Sequence, residues 1–249
     1  MVRVTQASPG EPAVLWHDVE CGGYGADLPL WRELARRAGG PILDLGAGTG
    51  RVSLDLAGAG YEVTALDSDP VLLDELARRA RAAGLRVACV PADARRLPAI
   101  GQFALVVAPM QFVQIMGGAA GRARLLAGVV SCLAPGGAFA AAVADLGEAI
   151  AAEHADPPLP DVGERKGWVY SSIPLSVRRE PGGVAVEWLR QVVSPAGELT
   201  DERHREVFDP LTPEEFEREA ERQGLRAEDR HELSHTEAYI GGTVVVCRR

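Results

Sequence analysis

The short run Ile42-Leu43-Asp44-Leu45 leads directly into Gly46-Ala47-Gly48-Thr49-Gly50, and an amphipathic stretch begins at Arg51. A buried strand, a glycine turn and a helix start, in that order, confine the chain to an open α/β sheet. Glycines at the C-terminal end of a strand let a ligand approach the backbone where side chains would block it. The helix start adds unpaired N–H donors, and the crevice outside the strand ends is where such ligands sit.

The same rhythm continues downstream. A helix over 51–59 is closed by Gly60, and a strand follows over 61–66. Asp69-Pro70 opens a helix with Leu72, Leu73, Leu76 and Ala80 on one face, ended by Gly84. Strands are expected over 85–90 and 103–108, a helix over 122–133 stopped by Pro135-Gly136-Gly137, and a strand over 138–144. Repeated strand–helix–strand units force right-handed crossovers and a parallel sheet covered on both faces. Upstream, residues 1–25 read as irregular, and a helix starts near Asp27 with Leu30, Leu34 and Ala38 as its apolar stripe.

The rhythm breaks after 144. Residues 145–166 are polar and proline-bearing and read as a loop or lid. Strands over 168–179, 184–193 and up to Phe208, separated by Pro-Gly turns, make a three-stranded antiparallel meander. The α/β pattern resumes at Thr212-Pro213-Glu214-Glu215, which has capping-box spacing. That helix ends at Gly224, and strands over 225–233 and 239–247 close the chain. The expected organisation is an N-terminal loop and cap helix (1–40), a nucleotide-type core (41–144 and 209–249) and an insertion over the substrate site (145–208).

The chain has 249 residues, 47% of them hydrophobic, enough to bury such a core. Its net charge of −9 disfavours nucleic acid and anionic membrane surfaces as partners. Cys21, Cys89, Cys132 and Cys247 form no CxxC pair, no metal-ligand spacing occurs, and no continuous apolar run is long enough to span a bilayer. Residues 1–20 lack the apolar core of a signal peptide, so a cytoplasmic setting is expected.

Residues around the loop narrow its ligand. A dinucleotide fingerprint needs a third small residue at the place held here by Arg51. The Lys-Ser/Thr pair of a phosphate-binding P-loop is also missing. Asp44, two residues before Gly46, would repel phosphates but suits the ammonium of S-adenosylmethionine (SAM). Asp67, about 20 residues beyond the loop, is placed to accept hydrogen bonds from ribose hydroxyls. Asp93, after the third strand, can accept from an adenine amine.

These segments resemble the class I SAM-dependent methyltransferases. Pro41 to Arg51 is similar to that family's first motif, Ala65-Leu66-Asp67-Ser68-Asp69-Pro70 to its ribose-binding strand end, and Leu133-Ala134-Pro135-Gly136-Gly137 to its turn into the fifth strand. The resemblance implies a doubly wound, mainly parallel seven-stranded sheet of order 3-2-1-4-5-7-6 with the last strand antiparallel. It implies a SAM site formed by Asp44, Gly46, Ala47, Gly48, Gly50, Asp67, Ser68, Asp93, Ala94, Pro109 and Gln114. Tyr24-Gly25-Ala26-Asp27-Leu28-Pro29-Leu30-Trp31 looks like the N-terminal helix of small-molecule members, with Tyr24 and Trp31 near the methionyl end. Those members often carry Asn, a small residue and His at the places of Gln111, Phe112 and Ile115; the changes make this wall more apolar, so no acceptor is carried over from theirs. The implied activity is methyl transfer to a small molecule on N, O or C, with a homodimer through the insertion left open. A SAM-binding scaffold and a nucleotide-dependent oxidoreductase are the other two readings. A hydroxyl acceptor would need a base. The candidates are His17, His154 and His204, with His204 on the last meander strand, while Trp168, Tyr170 and Trp188 are candidate pocket walls.

Overall fold

A computed structural model describes residues 12–144, 146–147, 159–234 and 241–249. Helix α1 (Pro12–Cys21) and helix α2 (Leu28–Ala38) precede the sheet. Strands and helices then alternate as β1 (Ile42–Leu45), α3 (Arg51–Gly58), β2 (Val63–Asp67), α4 (Pro70–Ala82), β3 (Val87–Pro91), β4 (Phe103–Ala108), α5 (Gly118–Cys132) and β5 (Leu133–Ala144). Two short 3-10 turns, Ala94–Arg96 and Phe112–Ile115, follow β3 and β4. Four strands come next, β6 (Asp161–Arg165), β7 (Trp168–Glu180), β8 (Gly183–Val193) and β9 (Leu199–Phe208). Helix α6 (Pro213–Arg222), β10 (Arg226–Leu233) and β11 (Gly242–Arg248) complete the chain.

The main sheet has seven strands in the order β10-β11-β5-β4-β1-β2-β3. The last strand, β11, runs antiparallel to both of its neighbours, β10 and β5, as the family resemblance implies. Strand alternation sends Leu43, Leu45, Val106, Phe139 and Val245 to one face, against α5 and α6. Ile42, Leu105, Val107, Ala140 and Val246 go to the other, against α2 and α3. Both layers are therefore filled, and β1, buried at all four positions, lies inside the sheet between β4 and β2.

The inserted sheet has four strands, not three, in the order β6-β7-β8-β9. β6 carries only one large apolar residue, so its composition reads as loop. Its signal is the two-residue turn Lys166-Gly167, where both φ angles are positive (53° and 77°), the type I′ geometry that favours a hairpin. Residues 12–21, read as irregular, form α1. Val14, Leu15 and Trp16 are adjacent rather than spaced by three and four, which hides the helix. Helix α1 is held by the inserted sheet, packing Leu15 and Trp16 against Tyr170. His154 and residues 235–240, including the expected start of the last strand, lie outside the described residues.

Candidate functional site

The strand tips of β1, β2 and β3 meet α1 and the inner face of the inserted sheet around a cavity of about 670 Å³. Gly46, Asp67, Ser68, Asp93 and Ala94 line one side. Trp16, His17 and Glu20 of α1, with Arg190, Glu202, His204 and Glu206 of β8 and β9, line the other. Phe112, Ile115 and Met116 form a wall between them.

Glycine is required at two loop positions. Gly46 and Gly48 both have positive φ, 66° and 54°. A Cβ on Gly46 would lie 2.3 Å from the Phe112 ring, and one on Gly48 would lie 1.9 Å from Nε2 of His17. Asp67 shapes this loop. Its carboxylate accepts from the Gly48 N–H and the Asp69 N–H, each at 2.9 Å, and still faces the cavity.

Asp44 is 1% exposed. One carboxylate oxygen accepts from the Ser53 hydroxyl at 2.6 Å, and the other, Oδ1, has no hydrogen-bond partner among the described residues. Burial pushes this carboxyl up to about 7, against the lowering effect of the Ser53 hydrogen bond. Asp93 caps the turn after β3 through the Arg95 N–H at 2.9 Å. The Arg95 guanidinium beside it holds its carboxyl below the usual carboxylate range.

Several residues expected at the cofactor make contacts within the scaffold. Trp31 is fully buried in the α2 layer, and its indole N–H donates to Asp27 at 2.7 Å. Tyr24 lies beneath the Arg51 guanidinium, 5.2 Å from the ring centroid. Arg51 also forks onto the Asp27 carboxylate and donates to the Tyr24 carbonyl. The residue that spoils a dinucleotide fingerprint therefore locks α2 to the start of α3. Ala47 packs with Leu73 and Leu76, Gly50 caps α3 against Leu76, and Pro109 is buried at the β4 tip. Gln114 lies away from the cavity wall. Its amide accepts from the Ala144 N–H at 2.8 Å and donates to the carbonyls of Ala144 and Asp209, at 3.2 and 3.4 Å. It thus binds the residue where the chain leaves the core for the insertion and the residue where it returns.

His204 faces the cavity and stacks on Trp188, with ring centroids 5.7 Å apart. Tyr170 is buried edge-on to Trp16, and Trp168 packs with it, so neither lines the cavity. The α1 contribution was hidden with the helix itself. His17 meets Thr49 at 3.2 Å, and burial pushes its imidazole below the ordinary value of 6.5. Asp18 accepts from Thr49 and Arg79 of the core, whereas Glu20 accepts from Ser172 and Arg190 of the inserted sheet. One helix is fastened to both halves of the cavity.

Residues 42–137 match a family model described as a methyltransferase domain. An uncharacterised protein of Mycobacterium tuberculosis is 44% identical over 72 residues, which is 28% of this chain and 26% of that protein. The matched stretch thus spans about a quarter of that curated relative's length. Among solved structures, a SAM-dependent methyltransferase from Clostridium acetobutylicum superposes with a TM-score of 0.71 at 15% identity, covering 94% of this chain and 96% of that one. The sugar N-methyltransferase KedS8 from Streptoalloteichus sp. superposes with a TM-score of 0.74 at 16% identity, covering 100% and 98%. The matched stretch is similar to a methyltransferase domain, and the sheet order is the fold of the solved SAM-dependent methyltransferases on which the chain superposes.

Proposed function

We propose that this chain transfers the methyl group of SAM to a small-molecule acceptor held between the glycine loop and the inserted sheet. The observation that carries this reading is the shared cavity. A nucleoside cradle and an independent polar wall face each other across about 670 Å³, the size of a small-ligand site.

The residues present fit SAM. Gly46 and Gly48 leave backbone that a Cβ would obstruct. Asp67 keeps acceptor capacity toward the cavity for ribose hydroxyls, and Ser68, Asp93 and Ala94 line the adjoining wall where the adenine would lie. The orphaned Oδ1 of Asp44 supplies a buried acceptor beneath the loop, and a methionyl ammonium reaching it directly or through water would favour the charged form that burial alone disfavours. When bound, SAM supplies an electrophilic methyl group on a sulfonium. The chain's own residues then orient the acceptor and exclude water. Phe112, Ile115 and Met116 give the cavity a dry side, and α1 with the inserted sheet closes the other. Structural neighbours that are a SAM-dependent methyltransferase and a sugar N-methyltransferase support the same reading.

The insertion acts as the acceptor lid in this account. The acidic net charge supports a small molecule over nucleic acid as substrate. No helix among the described residues is long and apolar enough to cross a membrane. The test is incubation with methyl-labelled SAM and a library of small amines, alcohols and carbon acids. Label transfer to a library member establishes the reaction, and SAM binding without transfer to any member favours a non-catalytic SAM-binding role.

A further inference from the structure

We propose that the acceptor is a protonated small-molecule amine and that Glu206 on β9 binds its ammonium and removes its proton. The proposal rests on the methyl-transfer reading above and names the substrate class for it.

The charged groups on the cavity wall can be followed to their partners. Asp67 accepts two backbone N–H groups, and Asp93 is paired with Arg95. Glu20 is bound by Arg190 through two hydrogen bonds of 2.7 Å. Arg190 is fixed in that pose by stacking over Trp16, 5.1 Å from the ring. Glu202 is 60% exposed and lies 3.8 Å from the same guanidinium. Glu206 differs from all of these. It is partly buried, it lines the cavity, and it has no hydrogen-bond or ion-pair partner among the described residues. Register places it one step along the inner face from His204, opposite Val186, and the guanidinium of Arg190 on that face is already bound by Glu20.

A half-buried carboxylate without a partner is destabilising unless a ligand completes it. The missing partner is a cation that reaches in from the cavity. The groups that act on Glu206 are Glu20 from α1, Arg190 from β8 and His204 beside it. Cys21 of α1 also lies within electrostatic range, and burial keeps its thiol protonated, pushed up to about 12. Burial raises the Glu206 carboxyl above its ordinary value, and Glu20 adds to the rise against His204 and Arg190. The shift narrows the gap between this acid and an alkylammonium, which eases proton transfer between them.

The chemistry needs this step for an amine. An ammonium has no lone pair, so its N–H bond must break before attack. The proton passes to a Glu206 carboxylate oxygen and leaves the neutral amine. The nitrogen lone pair then forms the bond to the methyl carbon while the carbon–sulfur bond breaks and its electron pair goes to sulfur. The positive charge moves from sulfur to the methylated nitrogen, and the Glu206 proton returns to solvent. An alcohol gives the wall no cation to hold, and its proton is far too weakly acidic for a carboxylate to take.

The test uses benzylamine and benzyl alcohol, equal in shape, titrated calorimetrically into the whole protein saturated with S-adenosylhomocysteine. Benzylamine is expected to bind at least about tenfold more tightly, a preference that Glu206→Gln removes and Glu206→Asp partly keeps. Methylation of benzylamine is expected to fall about 10²-fold in Glu206→Gln, with S-adenosylhomocysteine affinity unchanged. Equal binding of the pair, binding of neither, or an amine preference that survives Glu206→Gln overturns the proposal. Failure of S-adenosylhomocysteine itself to bind would instead overturn the methyl-transfer reading on which it rests.

Discussion

Asp44 and Gly48 show how single residues are constrained by this site. Asp44 carries a carboxyl raised from an ordinary 3.8 to about 7 by burial. The folded protein therefore holds that proton more tightly than the unfolded chain does. Its contribution to stability is complete below about pH 4 and is lost as pH rises toward 7. Asp44→Asn is expected to flatten that part of the stability–pH curve measured by urea unfolding without ligand. His17 acts with the opposite sign. Its lowered value means the folded state favours neutral imidazole, so stability is lost as pH falls below 6.5. At Gly48, alanine would enter the left-handed region and meet the His17 ring. Gly48→Ala is expected to cost about 1–2 kcal/mol of stability and to abolish SAM binding, read by thermal unfolding and calorimetry respectively.

At the scale of elements, the joints between core and insertion matter most. Arg122 of α5 is nearly buried and pairs with Asp209 at 2.8 Å and Glu219 of α6 at 2.7 and 2.8 Å. Asp209 in turn accepts from the first N–H of α5. Arg122→Ala leaves two carboxylates largely buried without their cation and is expected to cost about 3–5 kcal/mol in urea unfolding. The capping box Thr212–Glu215 is formed, and Thr212→Ala is expected to cost only about 1 kcal/mol. Elements with a strong local signal, such as α4 between Asp69-Pro70 and Gly84 or α6 behind its capping box, are legible residue by residue in the sequence. Helix α1 is not, because it is stabilised by partners far away in sequence, and strand β6 is not, because it carries a single large apolar residue although its ladder partner β7 follows after a two-residue turn. Trp16 finds Tyr170, and Glu20 finds Ser172 and Arg190, more than 100 positions on. Gln114 shows the same limit. Its polar type stands out in an apolar segment, but only the fold reveals that its amide holds Ala144 and Asp209 together.

Seen as a whole molecule, the chain combines a legible half-site with one that folding assembles. Gly46, Asp67 and Asp93 follow from spacing, since each ends or follows a strand of a parallel sheet whose tips must converge. The facing wall draws on α1, β8 and β9, and their convergence depends on how the second sheet docks through Ala144, Leu146, Val184 and Phe208. The outer face of that sheet exposes Val162, Val169, Leu199 and Val207. Were two copies to pair through this face, light scattering would read a dimer and Val162→Lys would shift the population toward monomer. Everything on the nucleotide side turns on whether the glycine cradle holds SAM. The most direct test is calorimetric titration of the protein with SAM and, separately, with NADH. One SAM site per chain is expected, lost in Gly48→Ala, with no heat from NADH. NADH binding at the same site, or the absence of SAM binding to the folded wild-type protein, would contradict this.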